Sequence, residues 1–182
     1  MEENFKSGFV TIVGRTNVGK STLINLLVGE KVAAIANKVQ TTRTAIKGIV
    51  NRENSQIIIT DTPGIHKPKH KLNETMVETS FAMIPDCDVV LFLIEATSED
   101  IGRGDRIILD KIKESNRKTI LIINKIDLVK RETLLNLIDI YSKEYPFTAV
   151  IPISATQDKY RDIVLDEIEK NLKPGPAYYD IE

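Results

Sequence analysis

The clearest indication of the fold is the segment Gly14-Arg15-Thr16-Asn17-Val18-Gly19-Lys20-Ser21. It fits the pattern G-x-x-x-x-G-K-[ST], in which glycines let consecutive backbone N–H groups converge on a phosphate. A run of apolar residues, Phe9 to Val13, precedes it, and an amphipathic run, Thr22 to Val28, follows it. A chance glycine turn would lack this context of strand, loop and helix. The stretch therefore predicts a phosphate-binding loop that leads into a helix N-terminus.

Each part of this loop has an expected role. Lys20 would place a point charge on the outer phosphates, and the Ser21 hydroxyl would be a ligand for the Mg²⁺ that bridges them. We expect contacts to a nucleotide from Gly14, Arg15, Thr16, Asn17, Val18, Gly19, Lys20, Ser21 and Thr22. The loop by itself does not say which nucleoside triphosphate is bound.

Outward from the loop, short runs rich in Ile and Val alternate with helical patterns. The predicted strands are Phe9 to Val13, Ile57 to Thr60, Asp88 to Ile94, Thr119 to Ile123 and Ala149 to Ile153. Their continuous apolar character is typical of parallel strands that are covered on both faces. Helices are predicted over residues 131 to 145 and 159 to 172, where apolar residues recur at helical spacing. Helices between buried strands indicate an α/β fold of three layers.

One predicted strand is different. Residues 45 to 52 have mixed polarity and are followed by a turn-like stretch at residues 53 to 55. This pattern predicts a hairpin at the edge of the sheet. The expected architecture is thus a mostly parallel six-stranded sheet with one antiparallel edge strand.

Two motifs indicate which base is read. Asn124-Lys125-Ile126-Asp127 follows the fifth predicted strand, and Ser154-Ala155-Thr156 follows the sixth. A carboxylate at Asp127 can accept hydrogen bonds from guanine N1–H and the 2-amino group, whereas adenine offers neither donor, and such sites discriminate by roughly 10⁴ to 10⁵. Asn124 would brace the phosphate loop, the stem of Lys125 would lie over the ring, and the backbone of Ala155 would donate to guanine O6.

A third motif, Asp61-Thr62-Pro63-Gly64, follows the third predicted strand. Asp61 would hold Mg²⁺ through water, and the Gly64 N–H would donate to the γ-phosphate. Thr42, with Thr41 as its competitor, would complete the Mg²⁺ shell. The expected metal ligands are therefore Ser21, Thr42 and Asp61.

Composition restricts the class of protein. Against 26 acidic residues stand 25 Lys+Arg, and the formal net charge of −1 argues against non-specific binding to a polyanion. The longest apolar run, Val89 to Ile94, is far too short to span a bilayer. A single cysteine, Cys87, cannot form an intramolecular disulfide, which favours a reducing compartment. We expect a cytoplasmic protein.

The series of motifs resembles the G domain of translation-factor-class GTPases. Within that class, three stretches closely resemble the Era family: Gly14 to Ser21, Gln40 to Arg43 and Asp61 to Pro68. The resemblance implies a Ras-like P-loop NTPase fold, Mg²⁺-dependent hydrolysis of GTP to GDP, a role in 30S ribosomal subunit assembly and maturation, and binding of 16S rRNA. In that family a C-terminal KH-type domain binds the RNA.

The resemblance also divides the chain. Residues 1–173 correspond to an Era-type G domain, and residues 174–182 to the start of a linker to a KH-type domain that this chain lacks. A monomeric state and peripheral association with membranes are further expectations.

Hydrolysis is expected to be slow. Ras-like enzymes orient the attacking water with a glutamine at the position of Ile65, which can form no hydrogen bond through its side chain. GTPases with asparagine at the position of Asn17 often use it to hold K⁺ near the phosphates, where the ion supplies positive charge. Arg43 is the alternative source of that charge. The residues assigned to catalysis are Asn17, Lys20, Thr42 and Gly64.

Other functions were weighed against a slow GTPase. A nucleotide-gated binding module with incidental hydrolysis would carry the same motifs. A P-loop kinase would need an arginine-bearing lid, for which the sequence has no candidate. The basic stretch His66 to Lys71 could contact RNA, but a solvated loop is the simpler interpretation.

Overall fold

In the computed structural model, residues 4–29, 46–61, 84 and 87–180 are described, with Asp61 described by its backbone alone. The strands are β1 (Lys6–Gly14), β2 (Ile46–Asn51), β3 (Ser55–Asp61), β4 (Val89–Glu95), β5 (Lys118–Asn124), β6 (Ala149–Pro152) and β7 (Lys173–Pro174). Within these residues the α-helices are α1 (Lys20–Val28), α2 (Arg103–Ser115), α3 (Arg131–Glu144) and α4 (Arg161–Lys170). Short 3₁₀ turns span Ile126–Leu128 and Asp158–Tyr160.

The sheet has the order β2-β3-β1-β4-β5-β6, and β7 pairs with β1. Strands β1, β3, β4, β5 and β6 are parallel, whereas β2 is antiparallel to β3. The predicted α/β class and the antiparallel edge hairpin are therefore confirmed. The short strand β7, antiparallel to β1, is an addition that the sequence did not indicate.

Two apolar layers cover the sheet. On one face α1 and α4 pack through residues such as Leu23 and Leu165, and on the other α2 and α3 pack through residues such as Ile112 and Leu137. Strand β4 lies between both layers and is fully buried from Val89 to Ile94. Each such aliphatic side chain contributes about 1.5–3 kcal/mol by leaving water. The predicted three-layer arrangement is thus the one present.

The helix bounds differ in detail from those predicted. Helix α3 matches its prediction to within one residue, and α4 begins later because residues 158–160 form a 3₁₀ turn. Helix α2 was not predicted from the sequence. Its first turn, Arg103-Gly104-Asp105-Arg106, is polar and contains a glycine, which weakens the helical signal there.

The end of the described chain lies along the sheet. Gly175 N–H donates to Phe5 O at 2.9 Å, and Ser7 Oγ donates to Pro176 O at 2.6 Å. Whether residues 174–182 begin a linker remains a prediction. None of the described helices is both long and apolar enough to cross a bilayer.

Candidate nucleotide site

The parallel strands bring the predicted motifs to one edge of the sheet. Because these strands run in the same direction, their carboxyl ends meet along that edge, where open α/β sheets bind ligands. The residues at those ends are Gly14, Asp61, Glu95, Asn124 and Pro152. Strand β1 lies centrally, with β3 on one side and β4 on the other. The loop after β1 therefore lies at the point where the chain changes direction across the sheet.

The phosphate loop has the backbone that its sequence predicts. Gly19 caps α1 with φ 103°, and Asn17 has φ 68°, both in the left-handed region. A Cβ at Gly19 would clash with the amide nitrogen of Asn124, so the close approach of these two segments requires glycine. The first turn of α1 has no acidic residue to compete with an anion for its N–H groups.

Three polar side chains begin α1. Lys20 is largely buried, with 7% of its surface exposed, and Ser21 and Thr22 are exposed. A buried ammonium flanked by exposed hydroxyls at a helix N-terminus suits an anion and the cation that accompanies it.

Asn124 joins the phosphate loop to the motif after β6. Its Nδ2 donates to Val18 O at 2.9 Å, and its Oδ1 accepts from Ala155 N–H at 2.9 Å. The side chain is 3% exposed, so both bonds form out of contact with water. One amide thus sets the distance between the loop and the predicted base-reading segment.

Lys125 makes a second connection to the loop. This residue has φ 67°, and its Nζ donates to Asn17 O at 3.1 Å and to Glu95 Oε1 at 2.8 Å. Partial burial would raise the pKa of Glu95, but hydrogen bonds from Lys125 and Thr97 outweigh it and leave that pKa below its ordinary value. Glu95 is therefore ionised near neutral pH and holds the ammonium of Lys125 beside the loop.

Asp127 lies at the mouth of the site. It is exposed, and its Oδ1 accepts a hydrogen bond from the buried Ser154 Oγ at 3.1 Å. Ser154 Oγ also lies 3.3 Å from the hydroxyl of Thr156. The 3₁₀ turn that carries Asp127 is held by the residue after β6, since Ile126 N–H donates to Ile153 O at 3.2 Å. A carboxylate held by one oxygen retains acceptor sites for an incoming base.

Most of the residues that the sequence predicts for the nucleotide site lie together in the structure. The others lie outside the described residues. Residues Gly14 to Thr22, Asn124 to Asp127 and Ser154 to Thr156 lie together at the carboxyl end of the sheet, joined by the hydrogen bonds described above. Thr42, Thr41, Gly64, Ile65, Arg43, the basic stretch at residues 66–71 and the side chain of Asp61 lie outside the described residues. Within the described ranges no group of three or more His, Cys, Asp or Glu side chains could hold a metal.

Two acidic residues of the site were missed from the sequence. Glu95 ends the apolar run of β4, and that abrupt polar residue at a parallel strand end was an available signal. Asp105 gave no local signal, because its partner is Arg15, whose Nε donates to Asp105 Oδ1 at 3.0 Å. Arg15, predicted to contact the nucleotide, thus directs its guanidinium to a carboxylate of α2.

The sequence of the chain matches a known protein family. The model described as 50S ribosome-binding GTPase matches residues 9–125. The chain belongs to this GTPase family. The matched range includes the phosphate loop and ends within the Asn124 to Asp127 motif.

Within this family, the chain is similar in sequence to proteins named Era. GTPase Era of Clostridium perfringens is 50% identical to this GTPase chain over 175 residues, which is 96% of the chain and 59% of the relative. The resemblance to Era drawn from the motifs is therefore confirmed. The chain spans about 59% of the length of this curated relative.

Two solved Era structures share the fold. One is an Era of Aquifex aeolicus bound to GDP and AlF4⁻, and the other is an Era in complex with MgGDPNP and nucleotides 1506–1542 of 16S ribosomal RNA. Each has a TM-score of 0.78 and 41% identity, and each comparison covers 97% of this chain and 60% of the other.

Proposed function

We propose that this chain is the nucleotide switch of an Era-type protein, which binds guanine nucleotides and hydrolyses GTP to GDP and phosphate. The observation that carries the proposal is Asn124, whose one buried amide holds Val18 of the phosphate loop and Ala155 of the base-reading segment. A phosphate cradle and a carboxylate suited to guanine are thereby held at a defined separation. The match to the GTPase family model supports the same function.

The base is selected by hydrogen-bond polarity. Asp127 would accept from guanine N1–H and the 2-amino group, and its bond from Ser154 orients the carboxylate for that task. The stem of Lys125 would cover one face of the ring while its ammonium stays on Asn17 O and Glu95. Donation from the backbone of Ala155 to guanine O6 would share an N–H that now donates to Asn124.

The phosphates would be held by the loop N–H groups and Lys20. Ser21, exposed at the first turn of α1, suits the Mg²⁺ that the solved MgGDPNP complex of Era contains. Asp61 ends β3 beside Ile12 of β1, and with Thr42 it would complete the ligand set. When bound, Mg²⁺ neutralises charge on the phosphate oxygens.

Hydrolysis would be slow, because Ile65 occupies the position of the water-orienting glutamine. The Gly64 N–H and Thr42 would contact the γ-phosphate side, and Asn17 would hold K⁺ there. The Asn17 carbonyl accepts from Lys125, and its exposed side chain stands at the mouth of the loop. Turnover measured in K⁺ and Na⁺ buffers of equal ionic strength should be faster in K⁺, and Asn17→Ala should remove the difference. Equal rates in the two buffers would exclude the K⁺ role.

The partner we propose is small-subunit rRNA, bound by a region beyond this chain. The family description names the 50S particle, whereas the solved Era complex contains a 16S rRNA fragment, and the Era is 41% identical to this chain. We propose a monomeric cytoplasmic protein in which nucleotide state controls the ribosomal interaction, with peripheral membrane association as a further property. Single-turnover hydrolysis with and without 30S subunits separates a timed GTPase from a nucleotide-gated binding module, since only the first should change its rate.

The base assignment has the sharpest test. Asp127→Asn replaces the acceptor by an amide that can donate to the 2-carbonyl of xanthine, so GTP affinity should fall about 100-fold or more while XTP affinity rises. Equilibrium titration with both nucleotides measures the change. Asp139→Asn, an exposed aspartate on α3, is the matched control and should alter neither affinity. Unchanged GTP binding by Asp127→Asn would falsify the assignment.

A further inference from the structure

The side chain of Arg15, at the start of the phosphate loop, is held by α2. Its Nε donates to Asp105 Oδ1 at 3.0 Å, and its side chain is 34% exposed. The aliphatic stem lies against Gly104, where a Cβ would come within 2.7 Å of Arg15 Cδ. Glycine at this position of α2 therefore leaves the room that the arginine stem occupies.

Asp105 is an unusually buried partner for such an arginine. Its side chain is 1% exposed, and among the described residues its Oδ2 has no hydrogen-bond partner. Burial raises the pKa of Asp105, and the Arg15 guanidinium opposes that rise. A buried carboxylate is costly unless it is paired, so this pair stabilises one relative position of loop and helix.

Tyr141 of α3 extends the pair into the core. Its hydroxyl is buried, and within the described part of the chain it makes no hydrogen bond of good geometry. Burial, together with the nearby Asp105 carboxylate, raises the pKa of Tyr141 well above its ordinary range. The tyrosine ring packs on Phe92 of β4, with ring centroids 6.1 Å apart. Arg15 is thus connected through Asp105 to α2, which packs with α3 and β4 in one apolar layer.

The phosphate loop is therefore held from two sides. On the β5 side Asn124 and Lys125 hold the carbonyl groups of Val18 and Asn17. On the α2 side the connection runs through the side chain of Arg15. The two sets of contacts act on opposite ends of the loop, since Arg15 stands at its start and Val18 precedes its last glycine.

We propose that Arg15 is a positioning residue of the phosphate loop, and that its pairing with Asp105 fixes the first turn of the loop for binding of nucleotide phosphates. This proposal rests on the nucleotide-binding function proposed above. It assigns Arg15 a role through Asp105 rather than a direct contact with phosphate. Gly104 and Asp105 of α2 thereby become part of the phosphate-binding apparatus.

The test is a double-mutant cycle on affinity for fluorescent GDP and for a non-hydrolysable GTP analogue. Arg15→Ala and Asp105→Ala should each weaken both nucleotides by about tenfold, the size of one lost charge-assisted contact. The double variant should be no weaker than either single variant, because both substitutions remove the same pair. Arg15→Lys keeps the positive charge but lacks the Nε–H, so it should bind nearly as weakly as Arg15→Ala.

A matched control is available on the same helix. Arg106→Ala removes a bidentate pair with Glu144 of α3, at 2.7 and 3.1 Å, and the phosphate loop takes no part in that pair. It should leave both affinities unchanged. Thermal unfolding of every variant separates loss of affinity from loss of folded protein. If Asp105→Ala fails to fold, Asp105→Asn replaces it: its amide oxygen can still accept from Arg15, but loss of the negative charge should still weaken both affinities measurably.

Each outcome decides between explanations. If Arg15→Ala weakens binding while Asp105→Ala and Asp105→Asn do not, Arg15 contacts phosphate directly and the proposal is wrong. If the variants unfold more easily but bind with unchanged affinity, the pair is only structural and the proposal is also wrong. If the unaltered chain binds no guanine nucleotide, the proposed function fails instead, which is a distinguishable result.

Discussion

The two ends of the parallel sheet are closed in different ways. At the carboxyl end, side chains at and just after the end of β5 hold a loop, as Asn124 and Lys125 hold the phosphate loop, and Asp127 beside them stays exposed. At the opposite end, residues 173–180 cover the beginnings of β1 and β3, and Gln56 is completely buried under them. One end retains open polar groups for a ligand, whereas the chain itself satisfies the polar groups of the other.

The buried side chain of Gln56 forms four hydrogen bonds. Its Oε1 accepts from Tyr178 N–H at 2.8 Å and Tyr179 N–H at 3.1 Å, and its Nε2 donates to Tyr179 O and Asn51 Oδ1, both at 2.9 Å. These four bonds use the full capacity of the amide. Asn124, the corresponding amide of the other end, also bridges two segments. A buried amide therefore holds two segments together at each end of the sheet. Asn124 does so at the candidate nucleotide site, and Gln56 does so at residues 173–180.

Breaking the amide contact at the nucleotide end should have the largest effect. In Gly19→Ala the new Cβ collides with Asn124, and the residue must keep a left-handed backbone. We expect GDP affinity to fall about 100-fold or more, from strain added to a disrupted buried hydrogen bond. Titration with fluorescent GDP measures the loss.

Gly29→Ala is its matched control. Gly29 also has positive φ, at 81°, but apart from its chain neighbours no atom of the described residues lies within 4 Å of the position that a Cβ would take there. Its ψ of −155° lies in a region that essentially only glycine adopts, so this variant should cost about 1–3 kcal/mol of folding free energy from backbone strain and leave GDP affinity unchanged. An equal loss of affinity in both variants would mean that strain, and not the approach of Asn124, is responsible.

Breaking the amide contact at the opposite end should affect stability instead. Gln56→Leu leaves the Tyr178 and Tyr179 backbone groups without their partner, and we expect the free energy of unfolding to fall by about 2–4 kcal/mol. GDP affinity should not change, because the nucleotide site lies at the other end of the strands. Urea unfolding measures the first quantity and nucleotide titration the second, with exposed Gln157→Leu as control. A large loss of affinity in Gln56→Leu would show that the two ends are coupled.

A smaller loss of stability is expected from Ser7, which also holds residues 173–180. Ser7→Ala removes one hydrogen bond to Pro176 O, and it should cost about 1 kcal/mol and accelerate amide hydrogen exchange over residues 173–180. Ser115→Ala also removes a hydroxyl bond to a backbone carbonyl, that of Ile112, but at the end of α2. Exchange over residues 173–180 should be unaltered in this second variant, and a similar rise in both would refute the local interpretation.

The smallest effect is expected on the outer face of α2 and α3, away from both ends. Hydrogen bonds from Arg106 and Lys113 lower the pKa of Glu144 from 4.5 to about 2. A carboxyl group whose folded pKa is depressed contributes stability above its unfolded pKa and loses it as the pH falls towards the folded value. Glu144→Gln should therefore be less stable than the unaltered chain at neutral pH, and this difference in the free energy of unfolding should shrink as the pH falls from 4.5 to about 2. Urea unfolding measures the difference, and GDP affinity at pH 7 should stay unchanged. A deficit that is constant with pH would contradict this assignment.

Much of the fold could be predicted because its signals are local. The apolar strands, the edge hairpin and α3 follow from periodicity over a few residues, and the fully buried β4 has the clearest pattern of all. Helix α2 was missed because its first turn is polar, and β7 because two residues carry no periodicity. Both elements exist through contacts with distant segments.

The site divides in the same way. The loop from Gly14 to Ser21 and the motif ending at Asp127 could be assigned from residue type and order, because phosphate and guanine each require particular donors and acceptors. Asp105 could not, since a single acidic residue in a helix gives no indication of its partner, whereas Glu95, at the end of an apolar strand, had a local signal that was missed. Asp105 meets Arg15 across 90 residues of chain.

The α/β class, the phosphate loop and the residue types suited to guanine could be predicted from short segments, because each depends on neighbours along the chain. Three long-range contacts appear only in the folded chain: Arg15 with Asp105, Asn124 with Ala155, and Gln56 with residues 173–180. The physical reason is that a buried charge or amide is stable only where its partner is held, and the partner's position results from packing of the whole sheet and its helices.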